Sequence, residues 1–402
     1  MTAGSRADAA ASALAHWRLE FPVTERYAYF DHASVGPTPR RAVDAVTRAL
    51  TGQSTRGSLD HAALHQVADE TRDEYAAFIG ARARNVAHAS NTSAAISLIA
   101  AGMQWRDGDE VIVPDIDFPS AVLPWKMLER RGVSVCEVPS PDGRVCIDAL
   151  IAAFTARTRV VCASWVQFSS GHRLDVERLG EACRERGIYF IVDGAQGVGA
   201  LSIDVESLPI DALVTHGYKW LLGPQGVGWL YMNDALMEAT QLPAAGIRSV
   251  TPRDSYFDHT YTPRTDAARF ETGILNFHGI AGARASLGLL REVGIAVIEA
   301  RVTELAARLS RDLIGVGCEV KGGASRVEFR SGILAMRPPR GDAKLCQEAL
   351  LKAGFVTSLR EGYVRIAPHY YNTEQEADAL VAAVRRLASG SSARTESRSA
   401  RL

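Results

Sequence analysis

The sequence predicts an α/β fold, with a large domain on a mostly parallel seven-stranded sheet and a smaller C-terminal α+β domain. Three observations predict it. Between about residues 80 and 235, short apolar runs alternate with stretches of helical spacing, the pattern of a parallel sheet crossed over by helices. Residues 241–277 then break the alternation with Gly, Pro and Arg in loop-like order. Beyond them, a long helical pattern leads into short strands and two further helices.

The strand candidates are NVAHA, EVIVP, VSVCEVP, RVVCASW, IYFIVD, ALVTH and VGWLYM. Between the fourth and fifth, DVERLGEACRERG places Val176, Leu179, Ala182 and Cys183 on one helical face. ASNTSAAISLIAAGM reads as a polar turn, Asn91-Thr92-Ser93, entering a helix that ends near Gly102. One long helix is expected from about Ile280 to Leu313. CEVKG, GILAMRP, FVTSL and YVRIAP follow as strands, with helices near 342–353 and 373–388. The boundaries expected are an N-terminal arm over 1–28, the large domain over 29–277, the small one over 278–388, and a polar, serine-rich disordered tail over 389–402.

Composition narrows the function. An apolar fraction of 47%, a charged fraction of 23% and a net charge of -1 describe a globular protein with no bulk attraction to nucleic acid or anionic membrane. No apolar run has the length needed to span a bilayer. Six scattered cysteines form no CxxC pair, which predicts reduced thiols and a cytoplasmic setting. The ten histidines show no metal-ligand spacing, so no metal is expected.

Chemistry concentrates at strand ends. In LVTHGYKWLLGPQGVGWLYM, Lys219 is flanked by Tyr218, Trp220, Leu221 and Leu222. A lysine there either snorkels to water or loses hydration, and then its amine becomes a nucleophile. Asp193 closes the apolar strand of IYFIVDGAQGVGAL, where an unpaired carboxylate is costly. Gly194, Gly197 and Gly199 after it do not keep the dinucleotide spacing GxGxxG. A lysine that forms an imine and a carboxylate that keeps a pyridine nitrogen protonated are what pyridoxal phosphate requires. Thr92 and Ser93, at a helix N-terminus, can hold a phosphate. Phe118, in DFPSAVLPW, can stack on a flat ring. Arg365, inside the apolar strand of EGYVRIAPHYYNT, seeks an anion, either a substrate carboxylate or an internal partner.

With these residues in this order, the sequence resembles the class V aminotransferase group of fold type I pyridoxal-phosphate enzymes, from about Tyr29 (YFDHASVGPTP) to Leu387. VDGAQ and GYKWLLGPQGVG are the most specific segments. The resemblance implies that Lys219 carries the cofactor and later moves the proton, that Asp193 pairs with the pyridine nitrogen, and that Gln196 bonds the ring 3-oxygen. It implies that Phe118 stacks on the ring and that Thr92, Ser93, His216 and Tyr218 contact the phosphate. Arg365 becomes the clamp for the substrate carboxylate, and His32, Ser34, His369 and the 244–266 loop are candidate pocket-lining residues.

Two departures shape the expectation. LLKAGFVTSLREGYV lacks the cysteine that desulfurases carry before the clamp arginine. RFETGILN has Ile274 where the family places a threonine that reaches the partner subunit's phosphate, with Thr272, Arg253, Arg264 or Arg269 as substitutes. The sequence is therefore read as a homodimeric enzyme acting on a small α-amino acid, cleaving a C–S or C–C bond at the β-carbon without a persulfide cysteine. An epimerase or aminotransferase of the same family is the alternative. A nicotinamide-dependent α/β oxidoreductase is the more distant one.

Overall fold

The computed structural model describes residues 16–251, 255–322 and 330–389. Arg253, the tail beyond Ser389 and residues 1–15 of the N-terminal arm lie outside the described residues. The chain enters with β1 (Ala28–Tyr29). The seven apolar runs become β2 (Val86–Ala89), β3 (Glu110–Pro114), β4 (Ser134–Val138), β5 (Thr158–Ser164), β6 (Tyr189–Asp193), β7 (Ala212–His216) and β8 (Gly228–Met232). They form one sheet in the order β2-β8-β7-β6-β5-β3-β4. Its strands run parallel from β7 through β4, and β8 is antiparallel to both neighbours.

The unbroken apolar runs have a packing cause. Ile112, Val161, Phe190 and Val192 point into one hydrophobic core, while Val111, Val160, Ile191 and Val214 point into another on the opposite face. A strand covered on both faces needs apolar residues at every position. The helix Val176–Arg184 lays Val176, Leu179, Ala182 and Cys183 against the sheet, and Asp175 caps it through the Arg178 N–H. The order in which strands are added to the sheet reverses between β3 and β5, so a crevice opens beyond the carboxyl ends of these parallel strands.

The C-terminal part contributes β9 (Glu319–Gly322), β10 (Leu334–Arg337), β11 (Phe355–Val356), β12 (Ser358–Arg360) and β13 (Tyr363–Ile366). Four of these form an antiparallel sheet, β12-β13-β10-β9, backed by the helices Ala343–Lys352 and Glu374–Ala388 around a third core. The single long helix expected from 280 to 313 is instead two, Phe277–Val293 and Ile295–Gly315. They are broken at Gly294, whose φ of 88° lies outside the helical region. One pairing joins the ends of the chain: β1 runs parallel to β11, and Asp31 bridges to Ala367. The entry segment is thereby laid beside the C-terminal sheet.

Candidate active site

Lys219 follows β7 in a turn of unusual backbone. Leu222, buried and not a glycine, has φ 58°, and the Leu222 N–H donates to the Lys219 carbonyl at 3.0 Å. Ser286 Oγ holds the Leu222 carbonyl at 2.9 Å. From the entry segment, the Gly36 N–H donates to the Tyr218 carbonyl at 2.8 Å, and a Cβ at Gly36 would sit 2.1 Å from the Lys219 carbonyl oxygen. The turn is thus fixed from both sides. Lys219 Nζ lies 5.6 Å from the Phe118 ring centre and 5.9 Å from that of Tyr218. Burial lowers the amine from its ordinary 10.5 to about 8. The Asp193 charge opposes that fall, and Arg365 and Arg360 add to it.

Asp193 ends β6 with one carboxylate oxygen accepting from the Ala195 N–H at 2.9 Å. Burial raises its pKa to about 6, against the pull of that N–H and of Lys219. The glycines that follow leave room for tryptophans, not for a pyrophosphate. A Cβ at Gly197 would lie 2.2 Å from the Trp165 ring, and one at Gly199 2.6 Å from the Trp220 backbone. The oxidoreductase alternative loses its structural basis there. Gln196 lines the cavity with its amide oxygen accepting from Trp220 Nε1 at 2.8 Å and its amide nitrogen donating to the Ala33 carbonyl at 2.9 Å. One amide hydrogen stays free to reach a ring oxygen.

Across the cavity, Asn91 Oδ1 caps the helix Thr92–Gly102 through the Ala94 N–H. Thr92 Oγ1 and His216 Nδ1 are both buried and, among the described residues, without a partner, and both residues line the same cavity of about 430 Å³ as Ser93, Tyr218 and Lys219. His216 stacks on Tyr218 at 4.1 Å, and burial beside Lys219 keeps its ring neutral, with a pKa lowered to about 3. An unpartnered hydroxyl, an unpartnered imidazole nitrogen and a helix N-terminus together fit a phosphate. With Asp193, Lys219 and Phe118 lining the same cavity, these residues fit pyridoxal phosphate.

Arg365 is buried in β13. Its Nη2 donates to Ser34 Oγ at 2.6 Å and lies 3.5 Å from Asp31 Oδ1, its Nη1 donates to the Phe168 carbonyl at 2.9 Å, and its Nε to Ser358 Oγ at 3.2 Å. This arginine has an internal carboxylate partner, and it lines an adjoining pocket that shares Lys219, Phe118 and Gln196 with the first. Ser34 lines the cavity too. His32 does not, which corrects its assignment to the substrate. It is fully buried behind the wall, Nδ1 on the Ala367 carbonyl at 2.7 Å and Nε2 on Tyr371 Oη at 2.6 Å. His369 is buried likewise, with Nε2 on the Trp220 carbonyl at 3.1 Å.

Sequence reasoning passed over Asp31, Asp117, Phe168 and Arg360. Asp117 precedes Phe118, and its carboxylate accepts from the Ser164 N–H at 3.0 Å and from Gln167 Nε2, tying the end of β3 to that of β5. Phe168 meets Phe118 edge-on at 5.2 Å. Only the adjacency of Asp117 to Phe118, and of Arg360 to the turn before Arg365, was visible in the sequence.

Ile274 is exposed and lines a neighbouring cavity of about 600 Å³ together with Thr272 and Gly273. Of its expected substitutes, Arg264 is paired with Asp266, and Arg269 donates to the Met237 and Thr240 carbonyls, so neither is available. Thr272 alone lines that cavity. Just before it, Glu271 is fully buried between Arg72 and Arg248, at 2.9 Å from each.

Comparison with known proteins agrees with this geometry. The family model for aminotransferase class-V matches residues 28–380. A probable cysteine desulfurase of Methanothermobacter thermautotrophicus is 30% identical over 390 residues, covering 90% of this chain and 95% of that protein. An apo cysteine desulfurase from Thermococcus onnurineus superposes with a TM-score of 0.83 at 23% identity, covering 93% and 97% of the two chains. A C-DES variant with glycine linked to its PLP cofactor gives 0.85 at 21% identity, covering 92% and 98%.

These relatives overturn one expectation, that of β-cleavage without a persulfide cysteine, because cysteine desulfurases use such a cysteine. That expectation rested on one loop without a thiol, and a single missing side chain does not define a reaction that the rest of the site sets. The chain belongs to the class V aminotransferases, the pyridoxal-phosphate family that its sequence resembles.

Proposed function

We propose that this protein is a pyridoxal-phosphate enzyme of the cysteine desulfurase type, which breaks the Cβ–S bond of a small sulfur-bearing α-amino acid and passes the sulfur to a cysteine thiol. The observation that carries this reading is the match in name and extent with the desulfurase relatives, together with two adjoining pockets that share Lys219, one lined by Asp193 and the other by Arg365.

When bound, the cofactor supplies an electron sink for negative charge at Cα. The chain does the rest. Asp193 would hold the proton of the ring nitrogen, Thr92, Ser93 and His216 would hold the phosphate, and Phe118, met edge-on by Phe168, would stack on the ring. Arg365, with its fork aimed by Asp31, Ser34 and Phe168, fixes the substrate carboxylate and so the direction of the Cα–H bond. Lys219, neutral above about pH 8, takes the Cα proton and returns one. Cysteine and an acceptor thiol then give alanine and a persulfide, with the thiol proton supplying the hydrogen left on carbon. No cysteine is among the residues lining the cavity, so the acceptor reaches it from elsewhere.

Exposed Ile247, Phe257 and Tyr261, and exposed Ile274 at the second cavity, support a homodimer that covers them. Light scattering tests it. The free thiols of the chain support a reducing, cytoplasmic setting. The function is tested by incubating the holoenzyme with L-cysteine. Alanine together with a persulfide located by mass spectrometry after alkylation supports it. Keto acid, ammonia or inverted substrate in place of alanine rules it out.

A further inference from the structure

Two guanidinium groups open on the substrate side of the cavity, and among the described residues a carboxylate pairs with one of them. Arg360 lines the same space as Lys219 and Arg365. Arg365 has Asp31. Arg360 donates to the carbonyl of its own neighbour Leu359 at 2.7 Å and to Ser34 Oγ at 3.2 Å, and among the described residues it pairs with no carboxylate. Ser34 has nothing more to give it. That hydroxyl donates to Asp31 Oδ1 at 2.8 Å and accepts from both arginines, so its proton and both lone pairs are in use.

The charge of Arg360 is set where it acts on the chemistry. It lowers the pKa of both Lys219 and Arg365. Its position is fixed by a two-residue hairpin. Glu361 and Gly362 have φ of 47° and 75°, the paired left-handed conformations of a tight turn, and Arg360 pairs across it with Tyr363. A guanidinium held beside a cavity without a counter-ion is a site for an anion from outside. Arg365 has most of its N–H groups committed and keeps one line of approach for a carboxylate. A second cation next to it matches a second negative group on the ligand.

We propose that Arg360 reads negative charge on the β-substituent of the substrate, so that the class of amino acid taken is one with an ionised group on Cβ, whether thiolate, sulfinate or carboxylate. This rests on the proposed function in one respect, that the α-carboxylate docks on Arg365. The sulfur of a cysteine held here lies beside a cation and ionises more readily than in water.

The test titrates the holoenzyme with L-aspartate and L-cysteine sulfinate, whose second charge is permanent, and with L-2-aminobutyrate, which has none. Binding is read from the shift in cofactor absorbance. The two acids bind more tightly than aminobutyrate. Arg360→Gln weakens the acids by about tenfold or more, the loss expected for one charge-assisted contact, and leaves aminobutyrate within about twofold. Arg360→Lys recovers part of the difference, since it restores charge without the fork. Equal weakening of acids and aminobutyrate would place Arg360 on the α-carboxylate and overturn the proposal, as would no weakening at all. Retained cofactor absorbance and unchanged aminobutyrate binding exclude misfolding as the cause. If the wild-type holoenzyme responds to none of the three, the amino-acid reading itself fails and this inference with it.

Discussion

Arg365 and Asp31, 334 positions apart, meet beside the cavity with Nη2 3.5 Å from Oδ1 and with Ser34 Oγ bonded to both. The contact joins β13 to the entry segment, and it aims the guanidinium before any ligand arrives. Burial brings Arg365 down to about 10, and Asp31 opposes that fall. Its charge persists at neutral pH.

In the proposed function this fork carries the specificity for a carboxylate. Arg365→Lys keeps the charge but cannot bond Ser34, Ser358 and the Phe168 carbonyl together. Amino-acid affinity is expected to fall about 10- to 100-fold, with cofactor retention unchanged. Spectral titration checks the first and dialysis of the holoenzyme the second. A loss of cofactor equal to the loss of affinity counts against the assignment.

Lys219 should set the pH at which the apoenzyme captures its cofactor. Only the neutral amine attacks an aldehyde, and burial places its pKa at about 8. Capture at fixed pyridoxal phosphate rises as pH increases through about 8 and then levels. A midpoint near the ordinary lysine value of 10.5 would mean that the amine is hydrated. Stopped-flow absorbance follows the change.

Removing that amine should abolish turnover while sparing the fold. Lys219→Ala is expected to lower the rate by about a thousandfold or more, the scale of a lost acid–base group plus a lost anchor. Borohydride treatment followed by mass spectrometry should find no cofactor fixed at position 219. Cofactor still fixed to the variant would point to another lysine.

Glu271 is expected to matter for stability. Its side chain is fully buried between Arg72 and Arg248 and also accepts from the His88 N–H at 2.9 Å. Removing the carboxylate leaves Arg72 and Arg248 with the exposed Asp69 as their remaining carboxylate, at 2.9 and 3.9 Å, so Glu271→Gln should cost about 3 kcal/mol, the lower end of the penalty for breaking a buried ion pair. Burial raises its pKa, but the two arginines, His88 and its N–H outweigh that, and the folded value lies below the ordinary 4.5. Such a group stabilises fully above the unfolded pKa and loses its contribution as pH falls through the folded one. The gap in Tm between wild type and variant should therefore be wide at pH 7 and shrink below about 4.5. A gap that stays constant with pH would rule out the ionic origin.

Gly197→Ala tests the turn after Asp193. The added Cβ would lie 2.2 Å from the Trp165 ring, and neither strand end can move without displacing Asp193. Destabilisation of about 1–3 kcal/mol is expected from overpacking, with weaker cofactor binding. Calorimetry of the holoenzyme and apoenzyme separates the two effects.

Local chemistry wrote most of this molecule into its sequence. Strands buried on both faces demand unbroken apolar runs, so β2 to β8 were legible as NVAHA through VGWLYM. Charged residues within or just beyond apolar strands are costly unless partnered, which singled out Asp193, Lys219 and Arg365. The polar turn Asn91-Thr92-Ser93 marked a helix start, which Asn91 caps. Gly294, inside an otherwise continuous helical pattern, was read through, because helical periodicity alone does not show where a left-handed residue divides it.

What the sequence could not state was which distant residues share a wall. His32 and Arg365 both looked like substrate residues. Only the pairing of β1 with β11 and of Asp31 with Ala367 turns His32 inward onto Tyr371 while setting Asp31 and Ser34 against the guanidinium. Arg360 became a site residue only when the hairpin brought it round to the cavity. Periodicity and side-chain cost act between near neighbours along the chain. The partner of a buried charge is settled by packing across hundreds of positions, and that exists only once the chain has closed on itself.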